Sequence, residues 1–99
     1  MEEAMAGKGG GGSPKAPNKF DITFVVNGVP TTEEVNANAP LLVGLNKALK
    51  NTENEGQDVE NWEVRDPGGN LLDITEKVGA LGLVPGITLM VNLKTGAAG

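Results

Sequence analysis

Few side chains in this sequence could carry chemistry on their own. It has no cysteine and no histidine, which removes thiolate nucleophiles, disulfides, and the commonest general base and metal ligand. Tyrosine is absent as well. The remaining Asp, Glu, Lys, Ser and Thr residues form no recognisable nucleophile–base pair. Catalysis by the chain itself is therefore not expected, and neither is a metal site. Gly7-Lys8 suggests a phosphate loop only at first sight. That motif needs a glycine at position 2, where Glu2 stands, and Ser or Thr at position 9, where Gly9 stands. The stretch that stands apart is the last one, "ITLMVNLKTGAAG". Ile87, Leu89, Val91 and Leu93 alternate as one face of a β-strand. The apolar pattern then stops, and Lys94-Thr95-Gly96-Ala97-Ala98-Gly99 carries no side chain larger than threonine after Lys94.

The elements that would hold such a segment follow from the rest of the chain. Ninety-nine residues make one domain at most. Residues 1–18 include "GKGGGGSPKAPNK", which has nothing to bury and is expected to be a flexible Gly/Pro/Lys arm. The remaining ~80 residues can bury a little over ~60% of their unfolded surface, enough for a modest core. A net charge of -5 with a single arginine argues against nucleic acid as a partner, because phosphate binding needs clustered Lys and Arg. Nothing resembles the apolar core of a signal peptide or reaches the length of a membrane span, so a cytoplasmic location without membrane contact is expected.

Phe20, Ile22, Phe24 and Val26 recur at period two, a half-buried strand. Asn27-Gly28 ends it with the strongest short hairpin signal, since both residues tolerate positive φ. A second strand is expected around Thr31 to Val35, with Pro30 at its start or on an edge. Next, Leu41, Leu42, Leu45, Ala48 and Leu49 trace one stripe of an amphipathic helix. Asn38 is its expected cap and Pro40 is tolerated in its first turn. Lys47 and Lys50 stand near the helix end that favours cations. Gly44 costs the helix about 1 kcal/mol against alanine, which close packing on the sheet would explain. "NWEVRDPGGNLLD" reads as strand, turn and short strand, with Trp62 and Val64 opposite Glu63 and Arg65. "DITEKVGALG" predicts a helical turn capped by Asp73 with Glu76 as its partner. Leu83-Val84-Pro85-Gly86 makes a last tight turn. One helix must lie across a single sheet. The apolar closing strand suits its centre, parallel to the first strand across a long connection. The expected class is α+β: a β-grasp domain over 19–93 with a mixed four- to five-stranded sheet, and a flexible tail at 94–99.

The hairpin of "DITFVVNGVPTTEEV", the helix of "PLLVGLNKAL", the turn at "RDPGGNLL", the approach "ALGLVPGITLMV" and the glycine-ended tail together resemble the ubiquitin-like family over about residues 19–99. More narrowly, they resemble bacterial ubiquitin-like modifiers encoded beside activating-enzyme, conjugating-enzyme and peptidase genes in antiphage-type operons. The resemblance implies that the Gly99 carboxylate is adenylated by an activating enzyme that uses ATP and Mg. The acyl group would then pass to a carrier cysteine and be joined to an amine or hydroxyl of a target protein. The implied partners are activating-enzyme-like and conjugating-enzyme-like proteins, a processing peptidase and the targets, with the chain itself a monomer that holds no cofactor. Gly96, Ala97 and Ala98 match the segment that threads into the enzyme, where a residue without Cβ at the end leaves the carboxylate unhindered. Family members usually end in two glycines. Here Ala98 precedes Gly99, which requires a partner that accepts a methyl group and counts against a housekeeping sulfur carrier. The resemblance also implies a partner-binding sheet face, matched by Glu63, Arg65, Thr88 and Met90, with Val25 and Thr23 beside them. Two alternatives stay open at this level: a sulfur carrier with a C-terminal thiocarboxylate, and a non-covalent docking module.

Overall fold

The structure, a computed structural model, describes residues 18–94. The expected arm (residues 1–18) therefore lies outside the described residues except for Asn18, and so does the tail from Thr95 to Gly99. Strand β1 (Lys19–Val26) turns through Asn27 (φ 49) and Gly28 (φ 86) into β2 (Val29–Asn36). Two consecutive positive-φ residues make the tight turn whose twist suits a hairpin. Helix α1 (Leu41–Asn51) follows, then a 3-10 turn at Val59–Asn61 that the sequence pattern does not signal. Strands β3 (Trp62–Arg65), β4 (Leu71–Leu72) and β5 (Thr88–Leu93) complete a five-stranded sheet in the order β2-β1-β5-β3-β4. As expected, the closing strand is central. It runs parallel to β1, with Phe24 beside Leu89 and Val26 beside Val91, and antiparallel to β3. Pro30 sits on the outermost strand, where its missing N–H costs no ladder bond.

One face of this sheet is the core. Ile22, Phe24 and Val26 of β1, Trp62 and Val64 of β3, and Leu89 and Val91 of β5 are buried against Leu41, Leu45, Ala48 and Leu49 of α1. Each fully buried large side chain of this kind contributes about 1.5–3 kcal/mol. Gly44 lies where the helix meets the sheet. A Cβ there would stand 2.8 Å from Val35 Cγ1 and 3.1 Å from Phe24 Cζ, so the helix interior carries glycine because nothing larger fits. At the same interface Glu33 is buried on the core side of β2. Its Oε2 accepts from the Thr31 hydroxyl at 2.7 Å and from Asn51 Nδ2 at 2.7 Å, which ties the end of α1 to the edge strand.

The start of α1 departs from expectation. Pro40 is the N-cap residue and no side chain caps the helix; Asn38 instead donates its own N–H to Asn36 Oδ1 at 2.8 Å. The free amides of the first turn are met by backbone: Leu41 N–H donates to Glu76 O and Leu42 N–H to Ile74 O, both at 2.9 Å. The segment supplying those carbonyls cannot coil into the helical turn that "DITEKVGALG" suggests. It forms turns, with Lys77 in an isolated antiparallel bridge to Pro40, and Val78 N–H donating to Ala39 O. Asp73 caps only locally, accepting from the Thr75 amide and hydroxyl, while the Glu76 amide donates to the Asp73 carbonyl. Buried Val78 and Leu83 pin the segment to the core. It ends at a tight turn, Ile87 N–H to Val84 O at 3.2 Å, with Gly86 at φ 83 after Pro85, as a type II turn requires.

Because Val35 and Phe24 are both buried and cannot swing away, Gly44→Ala is expected to destabilise the fold. Overpacking costs ~1–3 kcal/mol against ~1 kcal/mol gained in helix propensity. Denaturant unfolding is expected to show a net loss of up to ~2 kcal/mol for Gly44→Ala, obtained as that difference. Gly56→Ala, where a Cβ meets nothing within 4 Å, is expected to stay within about 0.5 kcal/mol of the parent.

Candidate functional site

The outer face of the sheet collects the residues that the strand pattern assigns there. Register places Val25 beside Met90 and Thr23 beside Thr88, and Arg65 beside Met90 and Glu63 beside Asn92. The four expected surface residues, Glu63, Arg65, Thr88 and Met90, therefore share one face. Pro30 pairs with Val25 and Leu71 with Arg65, so Pro30, Val25, Met90, Arg65 and Leu71 form a row crossing all five strands at a spacing of roughly 4.8 Å. Leu71 is 60% exposed and Met90 41%. Pro30 and Leu71 escape the sequence reading because they face across turns. Leu71 becomes legible only once the five-residue loop Asp66–Asn70 is read as a hairpin that puts it opposite Arg65.

The polar members of this face are braced. Thr23 and Thr32 share a hydroxyl hydrogen bond of 3.1 Å. Arg65 Nε donates to Glu63 Oε2 at 3.1 Å and its Nη1 to Gly69 O at 2.9 Å. An exposed pair of this kind adds at most about 1 kcal/mol, so its effect is to hold the guanidinium in place. Gly69 O is itself fixed by the Asp66 carboxylate, which accepts from the amides of Gly68 and Asn70 at 2.9 Å and from Asn70 Nδ2. Bonds from the Asn70 amide and side chain, then from Gly68 and Gly69, hold the Asp66 carboxyl below its ordinary value. Bonds from the Thr75 hydroxyl and amide lower Asp73 likewise.

The other candidate site begins where β5 ends. Leu93 pairs with Trp62, and Lys94 N–H donates to Asn61 O at 2.8 Å, so the backbone is held in register up to Lys94 beside the start of β3. Gly96, Ala97, Ala98 and Gly99 fall outside the described residues. Among the described residues, no group of three or more Asp or Glu could hold a metal ion, and no helix is long and apolar enough to cross a membrane.

A family model matches residues 15–99. This chain is a member of the DUF2604 family of proteins of unknown function. The DUF2604 chain is 50% identical over 97 residues to uncharacterized protein y4jI of Sinorhizobium fredii (strain NBRC 101917 / NGR234), a match that covers 95% of this chain and 72% of that longer relative. Among solved structures it superposes on a de novo design based on ubiquitin with a TM-score of 0.69 at 20% identity, covering 85% of this chain and 99% of the design. It superposes on Caldiarchaeum subterraneum ubiquitin with a TM-score of 0.63 at 20% identity, covering 77% and 94%. For the ubiquitin-like domain of Plasmodium falciparum Dsk2 the TM-score is 0.60 at 21% identity, covering 77% and 99%. The fold of the DUF2604 chain is ubiquitin-like.

Asp66 and Asp73 both titrate lower folded than unfolded. Their contribution to stability is complete above the ordinary aspartate value and is lost as the pH falls through the lower folded values. Carboxyl NMR titration is expected to place both midpoints below that of an unfolded aspartate, with the Gly68 and Asn70 amides shifting in step with Asp66. An Asp66 midpoint at the ordinary value would contradict the bonding described for this turn.

Proposed function

We propose that this module is a cytoplasmic, monomeric protein modifier whose Gly99 carboxylate is the reacting group. In the proposed sequence the carboxylate attacks the α-phosphate of ATP on an activating enzyme and pyrophosphate leaves. A cysteine thiolate then displaces AMP to give a thioester. Finally an amine or hydroxyl of a target protein displaces the thiol, forming an amide or ester. The module supplies no general base. Its contribution is to present the end of the chain.

One observation supports this reading above others. The strand that leads to the tail is central, bonded on both sides to β1 and β3, and it hands over at Lys94 to residues with no bulk. Strand order thus favours a firm base for the tail, at the centre of the sheet with a ladder on each side. Residues 95–99 span at most roughly 18 Å when extended, enough to enter a narrow channel while the body stays outside. The outer row of Met90, Val25 and Leu71 around Arg65 favours a second reading, a docking module that works through this face without covalent chemistry. Flexible, exposed thioethers such as Met90 suit adaptable contacts.

The two readings separate experimentally. Incubated with a candidate activating enzyme, ATP and Mg, the modifier is expected to form an AMP or thioester adduct detectable by intact mass, and deletion of Gly99 is expected to abolish it. The docking reading predicts no adduct, loss of partner binding in Met90→Ser, and no effect of the deletion.

A further inference from the structure

Strand β4 is two residues long for a reason that leaves a mark on the surface. Past Leu72 the chain would continue to pair with Glu63 and Trp62, but the bonds that Ile74 and Glu76 make to the start of α1 pull it away. The separation opens a groove of about 370 Å³ between the Trp62–Glu63 end of β3 and the segment Leu71–Thr75. Leu71, Leu72, Ile74 and Trp62 give it apolar walls. Trp62 is 2% exposed, and its Nε1 is the buried side-chain polar atom without a hydrogen-bond partner among the described residues. Glu60, Glu63 and Asp73 are among its lining residues, with Lys94 as the one cationic residue there. Glu63 is shared with Arg65; Glu60 and Asp73 leave the groove acidic.

We infer that this groove docks a basic, apolar segment of the protein that handles the tail: a leucine-sized side chain between the walls, flanked by lysine or arginine. Two observations fix the occupant. The first is reach. Lys94 lines the groove, and five residues beyond it extend at most roughly 18 Å. Any protein that acts on Gly99 then works within that distance of Lys94, which lines this concavity. The second is charge, since carboxylates beside apolar walls favour a cationic apolar partner and disfavour an acidic one. Asp73 stays ionised because the Thr75 hydroxyl and amide stabilise its charged form. The inference rests on the modifier reading for the identity of the partner, while the groove's preference for basic apolar chains stands without it.

Titration of the full chain with the synthetic peptide Lys-Leu-Leu-Arg, and with its counterpart Glu-Leu-Leu-Glu, tests the groove directly. The single tryptophan gives an unambiguous indole resonance. The basic peptide is expected to shift the Trp62 Nε1–H signal and the amides of Leu71, Leu72 and Ile74 saturably, and the acidic one at least tenfold more weakly. Glu60→Lys and Leu71→Ser, both at exposed positions, are expected to weaken the basic peptide at least tenfold while the fold's other resonances stay in place. No saturable shift, equal binding of the acidic peptide, or shifts confined to Val25 and Met90 would overturn the inference. With an activating enzyme in hand, the same variants are expected to raise KM for the chain at least tenfold with kcat little changed; an unaltered KM would overturn the assignment to the tail-handling partner. The titration uses neither ATP nor Gly99 chemistry, so its failure is distinct from a failure of the modifier reading.

Discussion

The first amides of α1 have no side chain to bond to, and much of the molecule is arranged around that need. Pro40 at the N-cap has no side-chain acceptor, and no other side chain caps the helix. Two backbone carbonyls, those of Ile74 and Glu76, serve instead. A buried helix start left unmet would cost of order 1–3 kcal/mol per donor, so the segment from Asp73 to Val78 is held across the helix end and cannot fold as a helix of its own. Its position keeps β4 short, sets Val78 and Leu83 into the core, and opens the groove beside Trp62. A local deficit in hydrogen bonding at the helix start thereby shapes the surface beside it, through Ile74, which both bonds Leu42 and lines the groove.

The sheet divides its duties between faces. Toward the helix its buried residues are apolar except for Glu33, which Thr31 and Asn51 satisfy. Away from the helix it is a braced mixture, threonines bonded to each other and Arg65 held between Glu63 and Gly69, with Met90, Val25, Pro30 and Leu71 as its apolar content. Both faces meet at β5, whose inward residues complete the core and whose outward ones complete the face. That strand also leads to Lys94, so the core, the outer face and the position of Lys94 depend on the same ladder.

Much of this was legible in the sequence because period-two and helical patterns report burial directly. Phe20 to Val26, the Asn27-Gly28 turn, the stripe from Leu41 to Leu49, and Ile87 to Leu93 each announced an element, and the parallel central strand followed from its unbroken apolar run. Gly44 was readable as a cost, and the approach of Val35 and Phe24 supplies its cause. What stayed hidden was set by tertiary bonding. "DITEKVGALG" has the residues of a capped helical turn, but nothing local says that its carbonyls are needed elsewhere. The same holds for the groove, whose lining comes from two strands, a turn and Lys94, and for Leu71, which only a five-residue loop brings opposite Arg65.

The outer edge of β2 is poorly suited to recruiting another strand. Pro30 has no N–H to offer, the Lys47 ammonium occupies the Glu34 carbonyl at 3.1 Å, and the Asn36 carbonyl accepts from the Ala39 amide at 3.0 Å. An eight-residue border strand left bare would be a template for sheet-to-sheet stacking between copies. Blunted in this way, it offers little of its flank as a template through which copies of the chain could polymerise.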